Sequence, residues 1–330
     1  MLSNMQMLLH NAQLALTQLI VLYVIVGVGV AAERLGWFRA ETARQASGLL
    51  LYVVTACVIV RSFYSMEFSR ERLRGFLISA ACGVLLHVLG ILISEPFFRS
   101  SRDAATESVL HFAAIYGNCG YMALPLAQAM VGEEGVFYCS AVILSFQVFS
   151  FTHGAYTMAG GAPLRRKNAH TQSDAAQFRW KTLFLNAGVL SVVVGLPLFL
   201  FAIPLPELIT KPVDFIAGMN TPLAMLMFGA YLSHTKLKGF LRSKKIFSAL
   251  GIKLLALPAL VMAALLAFGV RGALLNALLI SASAPSANNT VVFAAKYGRD
   301  PGYAAQIVGF ISIASIVTMP LVIAVGLSMK

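Results

Sequence analysis

Predominantly apolar blocks of roughly 18–25 residues recur along this chain, and a helix of that length crosses a hydrocarbon core about 30 Å thick. Ten blocks can be read, at 14–32, 46–63, 75–95, 109–128, 135–159, 182–202, 213–233, 246–269, 272–295 and 302–328. The pattern predicts an all-α integral membrane protein with ten transmembrane helices. A β-barrel needs short segments of alternating hydropathy instead, and that alternation is missing. The first block is long and lacks both a positive n-region and a small-residue cleavage site, so it is expected to be a span and not a removable leader. Composition agrees: 58% of the residues are hydrophobic, 12% are charged, and the mean hydropathy is +0.79. A soluble domain carries about 25% charged residues.

The formal net charge of +12 is explained by loops, and no nucleic-acid partner is expected. Cytoplasmic loops are enriched in Lys and Arg. With an even number of spans both termini share one side. Placing them outside puts 17 Lys and Arg in inner loops and seven outside, with Lys253 inside the eighth block. Both termini are therefore expected outside a cytoplasmic (inner) membrane, with Arg70–Arg74 as the dissenting loop. Cys57, Cys82, Cys119 and Cys139 all lie in apolar blocks with no CxxC pair. Neither a disulfide nor a metal site is expected, and no cofactor.

The longest internal polar stretch, residues 160–181, holds Gly-Gly, a Pro and the basic run Arg165–Lys167. It reads as a short basic cytoplasmic linker between a first five-span unit, 1–159, and a second, 182–330. Gly132 and Gly298 correspond at an offset of 166, and that offset carries spans 1, 2, 4 and 5 onto 6, 7, 9 and 10. Five is odd, so the second unit enters the membrane upside down. Inverted repeats of this kind are a transporter design.

Spans 4 and 9 are interrupted at matching places. Span 4 contains Tyr116-Gly117-Asn118-Cys119-Gly120-Tyr121-Met122-Ala123-Leu124-Pro125, and span 9 contains Ser281-Ala282-Ser283-Ala284-Pro285-Ser286-Ala287-Asn288-Asn289-Thr290. Gly and Pro break the helical ladder, and broken backbone survives in a membrane only where protein or a cavity satisfies it. Half-helix N-termini carry partial positive charge and free N–H groups, which suit a carboxylate. Asn118, Asn288 and Asn289 add amide donors and acceptors. Thr55 and Thr221 correspond in spans 2 and 7 and are expected to line the same cavity; packing of a Thr on a helix interface is the plainer alternative.

At these residues the sequence resembles the auxin efflux carrier family, which includes plant PIN carriers and bacterial organic-acid permeases. Residues 117–126 are similar to the family's Gly-Asn-x-x-x-x-Gly-x-Pro-Leu crossover, with Ala123 where Gly is usual. Ala284-Pro285-Ser286, Thr221-Pro222-Leu223-Ala224-Met225 with Gly229, and Thr318-Met319-Pro320-Leu321 are similar to its spans 9, 7 and 10. The resemblance implies the bile-acid-symporter and PIN-like fold: two inverted five-helix repeats with crossover helices 4 and 9, a scaffold and a moving transport domain. It implies an anionic, carboxylate-bearing substrate held at the crossover, with Asn118, Pro125 and Pro285 carried over directly and Gln147 similar to a polar site position of the plant carriers. The pattern of the breaks and of the offset adds Cys119, Gly120, Ser286, Asn288, Asn289, Thr55 and Thr221 to the expected site. A homodimer through the scaffold helices is also implied, in contact with membrane lipid.

The expected function is a secondary transporter of a small mono- or dicarboxylate, working as a uniporter or weakly proton-linked. No Asp or Glu sits mid-span. His87 and His153 lie inside spans, where a His is more often packed than titrating, and Arg61 and Lys253 are read as snorkelling from span ends. The alternatives are a sodium-coupled symporter of the bile-acid-symporter type and a channel or membrane sensor. No enzyme is expected: there is no Gly-x-Ser-x-Gly, His-Glu-x-x-His, Asp-rich metal motif or nucleotide loop.

Overall fold

A computed structural model describes residues 2–98, 104–160, 186–233 and 243–329. The expected linker 160–181 lies outside the described residues apart from Gly160, as do many inner-loop basic residues, among them Arg99, Arg165 and Lys236. The described residues are helical; an isolated bridge between Gly117 and Ser286 supplies the extended pairing.

In chain order, α1 is Leu2–Arg34. Helix α2 runs Ala40–Leu49, a wide π turn Leu50–Val54, then Thr55–Tyr64. Helix α3 is Arg70–Phe98. The fourth helix is split into α4a, Ala104–Ile115, and α4b, which starts as a π turn Cys119–Ala123 and continues Leu124–Met130. Helix α5 is Glu133–Phe149, a π turn Ser150–Gly154, then Ala155–Met158; α6 is Ala187–Leu200. Helix α7 is Glu207–Gly218 followed by Asn220–Leu232. Helix α8 is Lys244–Gly251, a π turn Ile252–Ala256, then Leu257–Ala267. The ninth is split into α9a, Gly272–Ser283, and α9b, Asn289–Lys296; α10 is Pro301–Ser328.

Six of these are long and apolar enough to cross a membrane: α2, α3, α5, α7, α8 and α10. Helices α6 and α9a are apolar but shorter. The protein is thus a multi-pass membrane protein. Hydropathy located the helices well but misplaced their ends, because a helix continues past the apolar stretch into polar flanks. The second span, read at 46–63, begins at Ala40.

Local chemistry sets the ends. Gly132 and Gly298, the pair matched at the 166 offset, both adopt left-handed backbone, with φ of 79° and 67°, which costs glycine little. Gly132 leads into α5 and Gly298 follows α9b. At α10, Pro301 takes the first position, and the Asp300 carboxylate accepts from Gly302 N at 2.8 Å and Tyr303 N at 3.1 Å, satisfying amides that the helix leaves open. The junction in α7 falls at Met219, three residues before Pro222, which has no amide to donate to the carbonyl of Gly218 one turn back.

Helix α5 is the central element: 72% of its apolar window is buried, against 39–44% for the other five long spans. It packs on α3, α4b, α6 and α9a. Helix α1 lies along α7 and α10. The lipid side is apolar, with Leu92, Val193, Val317 and Leu321 exposed, as a membrane surface requires and a soluble one could not tolerate. Polar ties sit towards the helix ends. Arg61 pairs with Glu133, which also accepts from Gln128 Nε2 at 3.1 Å, and Lys245 pairs with Glu107.

The α1–α7 contact depends on two glycines. A Cβ on Gly29 would lie 2.2 Å from Leu226 O, and one on Gly229 would lie 2.1 Å from Val26 O. No side chain can be accommodated without moving the helices apart. Gly229→Val should therefore destabilise the protein by roughly 1–3 kcal/mol or more, seen as a lower melting temperature in detergent. Gly27→Ala, where a Cβ meets nothing within 4 Å, should melt as wild type.

Candidate substrate site at the crossover

The two broken helices cross at their breaks. Gly117 pairs with Ser286 in an antiparallel bridge: Asn118 N donates to Pro285 O at 2.7 Å, and Ala287 N donates to Tyr116 O at 2.9 Å. Ser286 Oγ donates to Ala113 O at 2.6 Å, satisfying a carbonyl in the last turn of α4a. The Asn118 side chain accepts from Tyr121 N at 3.0 Å, so this residue caps the half-helix that follows it. The crossing converts a serious cost into a small one, since each unpaired backbone group in hydrocarbon costs several kcal/mol.

Beside the bridge lies a cavity of about 50 Å³. One water-sized sphere needs roughly 10–15 Å³ on this measure, so the space suits about four waters or a small acid. Its lining includes Asn118, Cys119, Gly120 and Tyr121 from the start of α4b, and Ala287, Asn288 and Asn289 from the start of α9b. Leu51 and Thr55 of α2 line it, as do Ile143, Phe146 and Gln147 of α5, together with Asn186 and Gly188. Among the described residues, no Asp, Glu, Lys or Arg lines it.

Asn186 is the residue the sequence reading missed. It caps α6, accepting from Gly188 N at 2.9 Å, and it also accepts from Gln147 Nε2 at 3.0 Å. A third helix N-terminus therefore borders the cavity. The sequence signal was an ordinary one, an Asn immediately before an apolar run, but nothing along the chain linked it to spans 4 and 9. Gln147 Oε1 and Thr55 Oγ1 are buried without a hydrogen-bond partner, which leaves polar atoms available here.

Of the expected site residues, Asn118, Cys119, Gly120, Asn288, Asn289, Thr55 and Gln147 are brought together around this cavity. Pro285 and Ser286 form the bridge behind it. Pro125 is buried just after the opening π turn of α4b and does not line the cavity. Thr221 is a correction: it is absent from the lining. The neighbouring Asn220 is the buried polar residue of that turn, and neither of its side-chain N and O atoms has a hydrogen-bond partner. The Thr55–Thr221 correspondence thus holds in sequence position but not in exposure to the cavity.

Lys253 is the larger correction. It does not snorkel from a span end. It is fully buried, and its Nζ donates to Ala282 O at 3.3 Å in the last turn of α9a. The snorkelling expectation assumed a straight helix with a free end, whereas the π turn Ile252–Ala256 holds this residue inside the protein beside the crossover.

His87 is packed, as the plainer reading expected: it is 1% exposed, its Nδ1 lies 2.6 Å from Gly83 O, and its ring stacks on Phe149. His153 has more company than expected. Its Nδ1 is 3.0 Å from Tyr116 Oη, and Glu95, His111 and His153 bring their ligand-type atoms within 4.8 Å of one another. Tyr116 adjoins the bridge, so this polar group is tied to the crossover. All four cysteines are free thiols.

Removing the Ser286 hydroxyl should leave Ala113 O short of a partner in a buried setting. Ser286→Ala is expected to lower stability by about 1–3 kcal/mol, measured by thermal melting in detergent, while Ser248→Ala on an exposed site should stay within about 0.5 kcal/mol.

Comparison with known proteins finds membrane transporters. An uncharacterized transporter of Methanocaldococcus jannaschii is 24% identical over 291 residues, covering 85% of this chain and 89% of that one. A protein of Rhizobium meliloti named "Putative malonate transporter" is 23% identical over 267 residues, covering 81% of this chain and 79% of that one. Auxin efflux carrier component 3a of Oryza sativa is 27% identical over 127 residues, 37% of this chain and 20% of that one. Residues 14–323 match the family described as membrane transport protein, and the chain therefore belongs to that family of transporters, which are not enzymes.

Proposed function

We propose that this protein is a secondary transporter carrying a small mono- or dicarboxylate across the cytoplasmic membrane, with the anion held between α4b and α9b. The observation that carries the reading is the convergence of three helix N-termini, those of α4b, α9b and α6, on one small cavity lined, among the described residues, by no acidic side chain. Free amides and aligned peptide dipoles favour an anion there. The amide groups of Asn118, Asn288, Asn289 and Gln147 supply direction. A cavity of about 50 Å³ favours a small acid over a large aromatic one. The name of the Rhizobium meliloti relative points to the same substrate class.

The frame around the site is proposed to be two inverted repeats, 1–159 and 182–330, joined by the 160–181 linker. Both termini lie outside, and the scaffold helices form a homodimer in the bilayer. The shared left-handed backbone at Gly132 and Gly298 and the matching breaks in the fourth and ninth helices support the repeat. Exchange of conformation between the halves then moves the crossover from one side to the other.

The test is a thermal-stability screen of purified protein against malonate, malate and lactate. An anion held well above its dissociation constant should stabilise by about 1–3 kcal/mol. The shift should vanish in Asn118→Ala, and that variant should lose transport while still reaching the membrane. A shift retained by Asn118→Ala, with wild-type transport, removes Asn118 from the site. Pro285→Ala should slow transport by letting helix grow through the crossing; an unchanged rate and affinity would sink that role.

A further inference from the structure

Lys253 is unused by the anion site as described above. Lys253 is not among the residues that line the cavity. It donates to Ala282 O, in the stretch of α9a where carbonyls lose their helical partners. A Cβ on Gly117 would stand 2.7 Å from Lys253 Nζ and 3.3 Å from Ala284 O. The ammonium, the Ala284 carbonyl and the Gly117 backbone therefore crowd one spot, and Gly117 itself lines the cavity. Among the described residues no carboxylate forms an ion pair with Lys253. The titratable side chains that face it are Cys119 on α4b and His87 on α3, and neither is a carboxylate.

A lone buried cation inside a membrane is expensive and usually functional. In broken-helix transporters, half-helix C-termini and unwound carbonyls are where a coupling cation binds. Here that pole already holds a positive charge on a tether.

We propose that Lys253 is a tethered cation that takes the place of a coupling metal ion at the carbonyl pole of the crossover. Transport is then independent of sodium, and the ammonium balances one negative charge of the substrate across Gly117. This rests on the anion reading of the cavity. It also gives a reason for the small residue at 117: a side chain there would push the ammonium away from the pole. The π turn in α8 is the device that aims the lysine inward, a use in keeping with the clustering of such turns at functional sites.

Two measurements separate this from the anion reading. The first needs no substrate: purified wild type and Lys253→Met are melted in sodium, potassium and choline chloride at equal ionic strength. Wild type should melt alike in all three. Lys253→Met, with the pole vacated, should melt higher in sodium than in choline. A sodium-specific rise in wild type overturns the proposal. The second is malonate counterflow in proteoliposomes. Wild type should run at the same rate in all three salts. Lys253→Met should be at least tenfold slower, with Lys253→Arg recovering part of the loss. The voltage dependence of the residual flux should differ from wild type by one elementary charge, which a purely structural role would not produce. Wild-type flux with unchanged voltage dependence in Lys253→Met overturns the proposal. If wild type carries no carboxylate, the anion reading fails by itself, and the salt melts still decide Lys253. Should Lys253→Met not fold, Gly117→Ala keeps the charge but displaces it. That variant should be at least tenfold slower, and a wild-type rate there overturns the proposal.

Discussion

A pair of hydrogen bonds, Asn118 N to Pro285 O and Ala287 N to Tyr116 O, makes the rest of this molecule possible. Two helices interrupted in mid-membrane would each expose unpaired amides and carbonyls to hydrocarbon. Letting the breaks cross turns the exposed edges towards each other, so that one short antiparallel bridge pairs both. The residues suit that geometry. Pro285 has no amide to leave unpaired, Gly117 lets the strands and Lys253 approach, and the Ser286 hydroxyl reaches a carbonyl that the helix had abandoned.

The crossing also sorts charge. Each broken helix ends at the bridge with carbonyls and restarts with amides. The restarts of α4b and α9b face the cavity, and α6 adds its own N-terminus through Asn186. The carbonyl end of α9a faces Lys253. Among the described residues the cavity is thus lined by amides and helix starts without an ionised side chain, while the one buried ammonium nearby rests on a carbonyl of α9a.

Around this polar centre the packing is close. Helix α5 runs through the middle, presenting Gln147 to the cavity and Phe146 beside it, while its far end reaches Tyr116 through His153. The glycine contact between α1 and α7 is tight enough to exclude any side chain. Membrane helices gain little from burying apolar area against one another, so close backbone approach and satisfied polar groups have to hold the bundle instead.

Much of this was legible in the chain itself. Apolar blocks announced membrane-crossing helices because a helix of that length satisfies its own backbone within lipid, and Gly, Asn and Pro announced the breaks because they are what interrupts one. Asn118, Asn288 and Asn289 stood out as polar residues in apolar surroundings, and Gly132 and Gly298 showed where two spans meet a turn. Only the tertiary structure decided which polar residues share a space. Thr55 and Thr221 are equivalent by position, yet only Thr55 meets the cavity. Asn186 looked like an ordinary cap, and Lys253 like a residue near a helix end. Helix rotation and π turns determine where a side chain points. A single residue of extra backbone in a turn rotates everything beyond it, and hydropathy averaged over a span does not register that rotation. The sequence determined that the chain crosses a membrane and that two of its helices break; packing determined which amides, and which lysine, lie at the crossing.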